Sequence, residues 1–287
     1  MRAIEFFSGI GGFRLALGNR HQVVAAYDIS QPANITYEHT FTMRPQAREI
    51  ATLSPAELHR HHGELWVMSP PCQPFCALGR KRDMEDRRNA ALLHLITLLD
   101  DMEPPALCME NVAGFMRSRT REHLLEQLSR HRYHFHEWIL DPIQFGIPNR
   151  RPRYFLAATH AELHLQPLKP IPPVTLNQFL EPDPAMPLYL SEAQIRTHGP
   201  GFNVVTAEDR STNCFIGGYG RLLVRGGSYL RTDRGLRRFS PLEIARLHGF
   251  PEWFRFPAGV SMRQQYRLVG NSMNLLVAAW ITGHLTS

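Results

Sequence analysis

A cysteine that directly follows two prolines, in Ser69-Pro70-Pro71-Cys72-Gln73-Pro74-Phe75, is the first group whose type and setting suit chemistry. Three prolines stiffen that loop, and a thiol there is a nucleophile if it is exposed and nearby positive charge favours its thiolate. Arg80-Lys81-Arg82 follows closely enough to supply such charge. A second group is Glu110, in Glu110-Asn111-Val112 at the end of the apolar run Ala106 to Met109. A carboxylate so placed is either a capped strand end or a functional acid in a poorly solvated cleft. A third is Phe7-Ser8-Gly9-Ile10-Gly11-Gly12, where glycines let the backbone approach a ligand and a helix start offers free N–H groups. Asp28, ending the next β-branched run, is placed to hold a ribose diol. Alone, this pairing serves a nicotinamide cofactor, a methyl donor or a plain tight turn, and glycines at the first, third and sixth places of the dinucleotide pattern are lacking. Cys72 and Cys76 make half of a zinc pair, but no second pair at metal spacing follows, so no metal is expected.

The elements that must carry these groups alternate in the first half of the chain. Ile4 to Phe7, Val23 to Tyr27, Leu65 to Met68, Ala106 to Met109 and Tyr154 to Ala158 read as short apolar strands, while Phe13 to Leu17 and Ala90 to Leu99 have helical spacing. Strands separated by helices indicate an α/β fold with a mostly parallel sheet, in which ligands sit beyond the carboxyl ends of the strands. Ser8 to Gly12, Asp28, Pro70 to Phe75 and Glu110-Asn111 all fall there. From about His160 prolines and then glycines crowd, with little helical periodicity, which reads as a smaller loop-rich region. Order returns at Ser240-Pro241-Leu242-Glu243, a capping box opening a helix, and at the apolar stretch Asn274 to Leu285, which is expected to return to the first domain. The expected division is 1–159, 160–262 and 263–287.

The chain has 287 residues, 43% hydrophobic and 20% charged, which suits one large and one smaller domain of a globular protein. No apolar run is long enough to span a bilayer, and the charged start is no signal peptide, so a cytoplasmic monomer without membrane contact is expected. Four cysteines are too few and too irregular for a disulfide framework. The net charge of +6 and the pI near 9.4 fit a polyanionic partner, with Arg80-Lys81-Arg82, Arg87-Arg88 and Arg150-Arg151-Pro152-Arg153 in polar, loop-like settings.

Taken together, the glycine loop, Pro71-Cys72-Gln73, Glu110-Asn111-Val112, Gln144-Phe145-Gly146-Ile147-Pro148-Asn149-Arg150-Arg151-Pro152-Arg153 and Gly270-Asn271-Ser272 resemble, in that order, the DNA cytosine-5 methyltransferase family. The closer likeness is to its tRNA-methylating branch, the tRNA-aspartate cytosine-5 methyltransferases, with a Cys-Phe-Thr-Lys-Gly-Tyr-Gly signature. Here Cys214-Phe215-Ile216-Gly217-Gly218-Tyr219-Gly220 keeps the frame and replaces Thr by Ile and Lys by Gly. The stretches Asp141 to Phe155, Phe239 to Phe250 and Tyr266 to Asn274 are similar to that branch as well.

The resemblance implies a Rossmann-like class I methyltransferase with a target-recognition domain, using S-adenosyl-L-methionine. It implies that Cys72 attacks cytosine C6, giving an enamine whose C5 takes the methyl group. Glu110 would contact N3 and the exocyclic amine, Arg153 with Arg151 would hold the base, and Asn111 would brace the Pro-Cys loop. Phe7, Gly9, Ile10, Gly11, Gly12 and Pro70 would line the cofactor, Asp28 would bind its ribose, Ile29 and Ile50 would sandwich adenine, and Asn271 and Ser272 would close the methionine end. The partner implied is tRNA, at an anticodon-loop cytosine that is already unpaired or nearly so. The competing readings are a DNA methyltransferase of the restriction–modification kind, an inactive nucleic-acid-binding relative, and a nicotinamide-dependent dehydrogenase.

Overall fold

Short runs of apolar residues buried on both faces build the centre of the molecule, as in Leu65-Trp66-Val67-Met68, all four at most 2% exposed. A computed structural model describes residues 1–73, 75, 83–182, 184 and 188–285. Cys76 and Arg80-Lys81-Arg82, singled out in the sequence, lie outside the described residues.

Strands β1 (Arg2–Phe6), β2 (Gln22–Tyr27), β3 (Leu65–Met68), β4 (Ala106–Val112), β5 (His134–Leu140) and β6 (Arg153–Thr159) form one sheet in the order β2-β1-β3-β4-β6-β5. The pairs β2-β1, β1-β3 and β3-β4 are parallel, and β6 runs antiparallel to both β4 and β5. This is the mostly parallel α/β sheet expected from the alternating strands and helices. The core beneath it is rich in aromatic rings: Phe6, Tyr27, Trp66, Phe115 and Tyr154 are each at most 1% exposed. Burying such rings is among the larger favourable contributions a chain of this size has.

By packing, the chain divides into two compact units, Met1–Leu140 with Pro152–Pro167 and Val277–Ser287, and Asp141–Arg151 with Leu168–Leu276. These borders differ from those drawn on the sequence: Asp141–Arg151 groups with the second unit, Pro152–Pro167 with the first, and the C-terminal segment enters the first unit only at Val277. The second unit contains a three-stranded sheet, β7 (Asn203–Val205), β8 (Ser228–Thr232) and β9 (Gly235–Arg238), in the order β7-β8-β9. Its core is aromatic: Phe215 stands edge-on to Tyr219 and Phe239, and the Tyr219 hydroxyl donates to Ser228 O at 2.6 Å. The Pro241–Leu247 helix opens with the capping box read from the sequence, Ser240 Oγ accepting from Glu243 N. Glu243 also takes a two-pronged contact from Arg237, at 2.7 and 2.8 Å, with both side chains buried.

Charge is divided unevenly. The second unit holds 15 arginines and lysines against 9 acids, a net +6, whereas the first holds 17 of each. Among the described residues no helix is long and apolar enough to cross a membrane.

Candidate active site

The glycine loop leaves β1 through a run of left-handed residues: Phe7 at φ 53°, Gly9 at 53° and Gly11 at 83°, after which the Gly12–Leu17 helix begins. A phenylalanine in that region is strained, and such strain persists where the surroundings impose it, commonly at ligand sites. The two glycines differ in purpose. A Cβ on Gly11 would lie 2.1 Å from the Phe41 ring, so that glycine permits packing. A Cβ on Gly9 would meet only Phe7 O at 4.0 Å, leaving the open cradle that a bound group needs. Ile10 is buried at 2% exposure, and the Ser8 hydroxyl is buried without a partner.

Asp28 faces this loop from the end of β2. Its Oδ2 accepts from Gly9 N at 2.8 Å and its Oδ1 from Ser30 N at 2.7 Å, while Asn34 Nδ2 donates to the Asp28 carbonyl. Burial raises its carboxyl above the ordinary range, and the hydrogen bonds from Ser30 and Gly9 oppose that. Next to it Ile29 is 74% exposed, an apolar side chain placed where a flat ring could lie on it, whereas Ile50 is 4% exposed and belongs to the core cluster. An orphaned hydroxyl, an open glycine cradle, a fixed carboxylate and an exposed isoleucine fit an amino-acid-bearing nucleoside such as S-adenosyl-L-methionine.

The reactive groups sit on neighbouring strands. Met68 pairs with Met109, so residues 69–72 leave β3 beside the last three residues of β4, Glu110, Asn111 and Val112. Val112 pairs with Arg153, which brings the start of antiparallel β6 there too. Arg153 Nε lies 3.3 Å from Glu110 Oε1, with side chains 15% and 10% exposed. Asn111 Nδ2 donates to Pro70 O at 3.4 Å, tying the end of β4 to the loop that carries Cys72. Cys72 is partly exposed, and its carbonyl accepts from Phe75 N at 3.0 Å in a tight turn.

Sequence reasoning missed the residues that set this loop in place. Phe75 is buried against Phe115, which packs on Tyr154, with ring centroids 4.9 and 5.0 Å apart. Gly114 lets the loop approach, because a Cβ there would be 2.4 Å from Phe75 O. A glycine three residues beyond Asn111 was the available signal. Beneath the glycine loop, Glu5 is 1% exposed, accepts from the Tyr37 hydroxyl at 2.8 Å and from Arg14 N at 3.3 Å, and burial pushes its carboxyl up to about 7.

Arg151, Asn271 and Ser272 belong to the second unit. Arg151 is 2% exposed, and its guanidinium donates to the carbonyls of Phe215 at 2.8 Å, of Gly270 at 3.0 Å and of Ser272, and to Cys214 Sγ at 3.2 Å. The resemblance put Arg151 beside Arg153 on the base. Within its own unit Arg151 joins the 214–220 segment to the end of the Met262–Asn271 helix. That segment and helix touch closely, since a Cβ on Gly270 would lie 2.4 Å from the Ile216 carbonyl carbon. Asn271 is exposed, and Ser272 N donates to Val269 O.

Comparison with known proteins gives the family and the fold. The family model described as C-5 cytosine-specific DNA methylase matches residues 1–204 and 205–287. The chain is 31% identical over 358 residues to the DNA (cytosine-5)-methyltransferase of Dictyostelium discoideum, covering 100% of this chain and 94% of that protein. It is 31% identical over 314 residues to the tRNA (cytosine(38)-C(5))-methyltransferase of Schizosaccharomyces pombe, covering 98% and 95%. The solved Entamoeba histolytica methyltransferase EhMeth matches with a TM-score of 0.93 at 27% identity, over 99% of this chain and 97% of that one.

Proposed function

This chain belongs to the C-5 cytosine-specific DNA methylase family, and from that premise we propose that it methylates an unpaired anticodon-loop cytosine of tRNA, with the aspartate tRNA or a related one as first candidate. The observation that carries the chemistry is the meeting at the ends of β3 and β4 of the Pro-Cys loop, tied through Asn111, and the Glu110–Arg153 pair. The Cys72 thiolate adds to C6 of the ring, and the electrons of the C5–C6 double bond make C5 an enamine carbon. Glu110 contacts N3 and the exocyclic amine and supplies a proton as charge develops on the ring. Arg153, beside Glu110, offsets negative charge near O2. S-adenosyl-L-methionine, when bound, supplies the methyl group that C5 takes. Loss of the C5 proton to water then restores the double bond as the thiolate leaves. Phe7, Gly9, Gly11 and Gly12 would line the methionine part, Asp28 would hold the ribose diol, Ile29 would support the adenine, and Asn271 and Ser272 would close the methionine end. Arg151 holds the second unit together around Cys214 to Gly220, a positioning role.

The choice of tRNA rests on the Schizosaccharomyces pombe relative, on the Cys214-Phe215 to Tyr219-Gly220 frame, and on the net +6 gathered in one unit. The Dictyostelium discoideum relative, similar over the whole chain and named for DNA, favours the second reading, a DNA methyltransferase. One experiment separates them. The purified protein receives methyl-labelled S-adenosyl-L-methionine with total tRNA or with genomic DNA, and bisulfite sequencing locates the product. Label in tRNA at an anticodon-loop cytosine, reduced steeply by salt, is the expected result. Efficient labelling of duplex DNA with tRNA untouched moves the protein to the second reading.

A further inference from the structure

The segment between the Pro241–Leu247 and Met262–Asn271 helices is anchored by three buried side chains. Phe250, Phe254 and Val260 are 4%, 2% and 3% exposed, and Phe250–Phe254 and Phe254–Phe256 ring centroids lie 4.7 and 5.1 Å apart. Backbone turns fix it further, Phe254 N donating to Pro251 O at 2.9 Å and Val260 N to Pro257 O at 3.0 Å. From this loop Trp253 stands out, 60% exposed, while Trp66 in the first unit is fully buried. A tryptophan held in water beside the buried Phe254 forgoes favourable burial, and its ring stands open to a partner.

Charge identifies the occupant. Trp253 lies in the unit that holds all of the net +6. Arg246, Glu252 and Arg255 line one small surface notch, with Glu252 its one acid. Arg255 is exposed, and its guanidinium is steered by the loop, NH1 donating to the carbonyls of Glu252 and Phe254. An exposed indole with an exposed arginine two positions along the chain suits an unpaired base with its phosphate, because every base has a stacking face and every nucleotide an anion.

Resting on the tRNA reading, we infer that Trp253 is a stacking platform for an unpaired RNA base and that Arg255 meets the adjoining phosphate. The ring does no chemistry. It adds affinity that depends on strand openness and not on ionic strength.

The test uses the full chain with Trp253→Ala, Trp253→Phe and Arg255→Ala, each checked for an unchanged melting temperature. Affinity for a tRNA transcript is measured at several salt concentrations, alongside methylation. Trp253→Ala should weaken binding about tenfold with the salt slope unchanged, since base–aromatic stacking is lost and no charge is. Trp253→Phe should keep most of the affinity. Arg255→Ala should lower the salt slope by about one phosphate contact. Tryptophan emission should be quenched by an RNA hairpin with an open loop and not by a fully paired RNA, and the quench should vanish in Trp253→Phe. Undiminished affinity in Trp253→Ala overturns this inference alone, whereas a wild-type chain that neither binds nor methylates tRNA overturns the tRNA reading with it. If tRNA leaves the emission unchanged and protein concentration alone shifts it, the ring is a contact between copies and the inference is wrong.

Discussion

The two units use charge in opposite ways. In the first, equal numbers of acids and bases leave no net charge, and the ionisable groups of interest are few, partly buried and individually fixed: Asp28 by two backbone N–H groups, Glu110 by Arg153, Glu5 by Tyr37 and Arg14. In the second, arginine is in excess. Two of these arginines, Arg151 and Arg237, are buried and spent on carbonyls and on Glu243, and many others are exposed. Fixed single charges suit bond-making, where an ångström matters, and a diffuse excess suits holding a polyanion. On the proposed function that division would give reaction to the first unit and grip to the second, and substitutions in the two should fail in different ways.

The largest effects fall on the first unit. Cys72→Ser should abolish turnover and leave cofactor affinity, measured by calorimetry, unchanged, because a hydroxyl cannot replace the thiolate that adds to C6. A variant keeping a tenth of the wild-type rate would sink the nucleophile. Glu110→Gln should slow methyl transfer by about 10²–10⁴-fold with little change in RNA affinity. Were its rate normal once folded, Glu110 would be only the end of a strand and a partner for Arg153.

Arg151→Met strikes the second unit. It strips the carbonyls of Phe215, Gly270 and Ser272 of a charged donor in a buried place, so stability should fall by about 3 kcal/mol. Urea unfolding gives that figure, and methylation at a temperature where the variant is folded gives the other half of the comparison. A folded Arg151→Met that binds tRNA normally and is catalytically dead would return Arg151 to the base.

These side chains also mark what the sequence could and could not reveal. β3 was readable residue for residue as Leu65–Met68, and the capping box at Ser240 and Glu243 was readable because its partners lie three positions apart. The edge strand β5, His134–Leu140, is not apparent from the sequence, since two histidines and a glutamate interrupt its apolar residues, unlike the unbroken runs of its neighbours. The family resemblance puts Arg151 with Arg153 on the base and says nothing of what else Arg151 touches. The carbonyls it donates to, of Phe215 and Gly270, are 64 and 119 positions distant, and no local pattern announces contacts at that range. Glu5 was passed over for the same reason: in sequence it is one polar residue inside a strand, and only folding brings Tyr37 to it.

Glu5→Gln probes the fixed charges by pH. The buried carboxyl is pushed up to about 7 from an ordinary 4.5, so between those values the folded chain keeps a proton that the unfolded chain gives up. Stability therefore falls as pH rises from about 4.5 to about 7 and stays at its lower level above, a span of about 3 kcal/mol for a fully buried group. Glutamine has no proton to lose, so Glu5→Gln should remove this contribution and, relative to wild type, gain stability towards pH 8. Denaturant midpoints of both proteins from pH 5 to 8 that run parallel would show Glu5 to be uninvolved.

The smallest effect comes from Gly217, where the sequence departs from the tRNA-branch signature. A Cβ there would be 2.6 Å from Asn271 Oδ1 and 3.2 Å from Arg267 O. The nearer atom is the end of an exposed side chain that can rotate away, and the carbonyl needs to give only a few tenths of an ångström. Gly270, on the facing helix, has no such latitude, because its Cβ would strike the backbone at Ile216 and Gly217. Gly217→Ala should therefore cost only about 1 kcal/mol, a drop of about 2 °C in melting temperature. Its informative consequence is elsewhere. If Asn271 closes the methionine end of the cofactor, turning it aside should weaken S-adenosyl-L-methionine binding severalfold while tRNA affinity holds. Calorimetry showing the cofactor bound as tightly as before, with the melting temperature lowered as expected, would remove Asn271 from the cofactor site and leave the glycine loop and Asp28 to hold it.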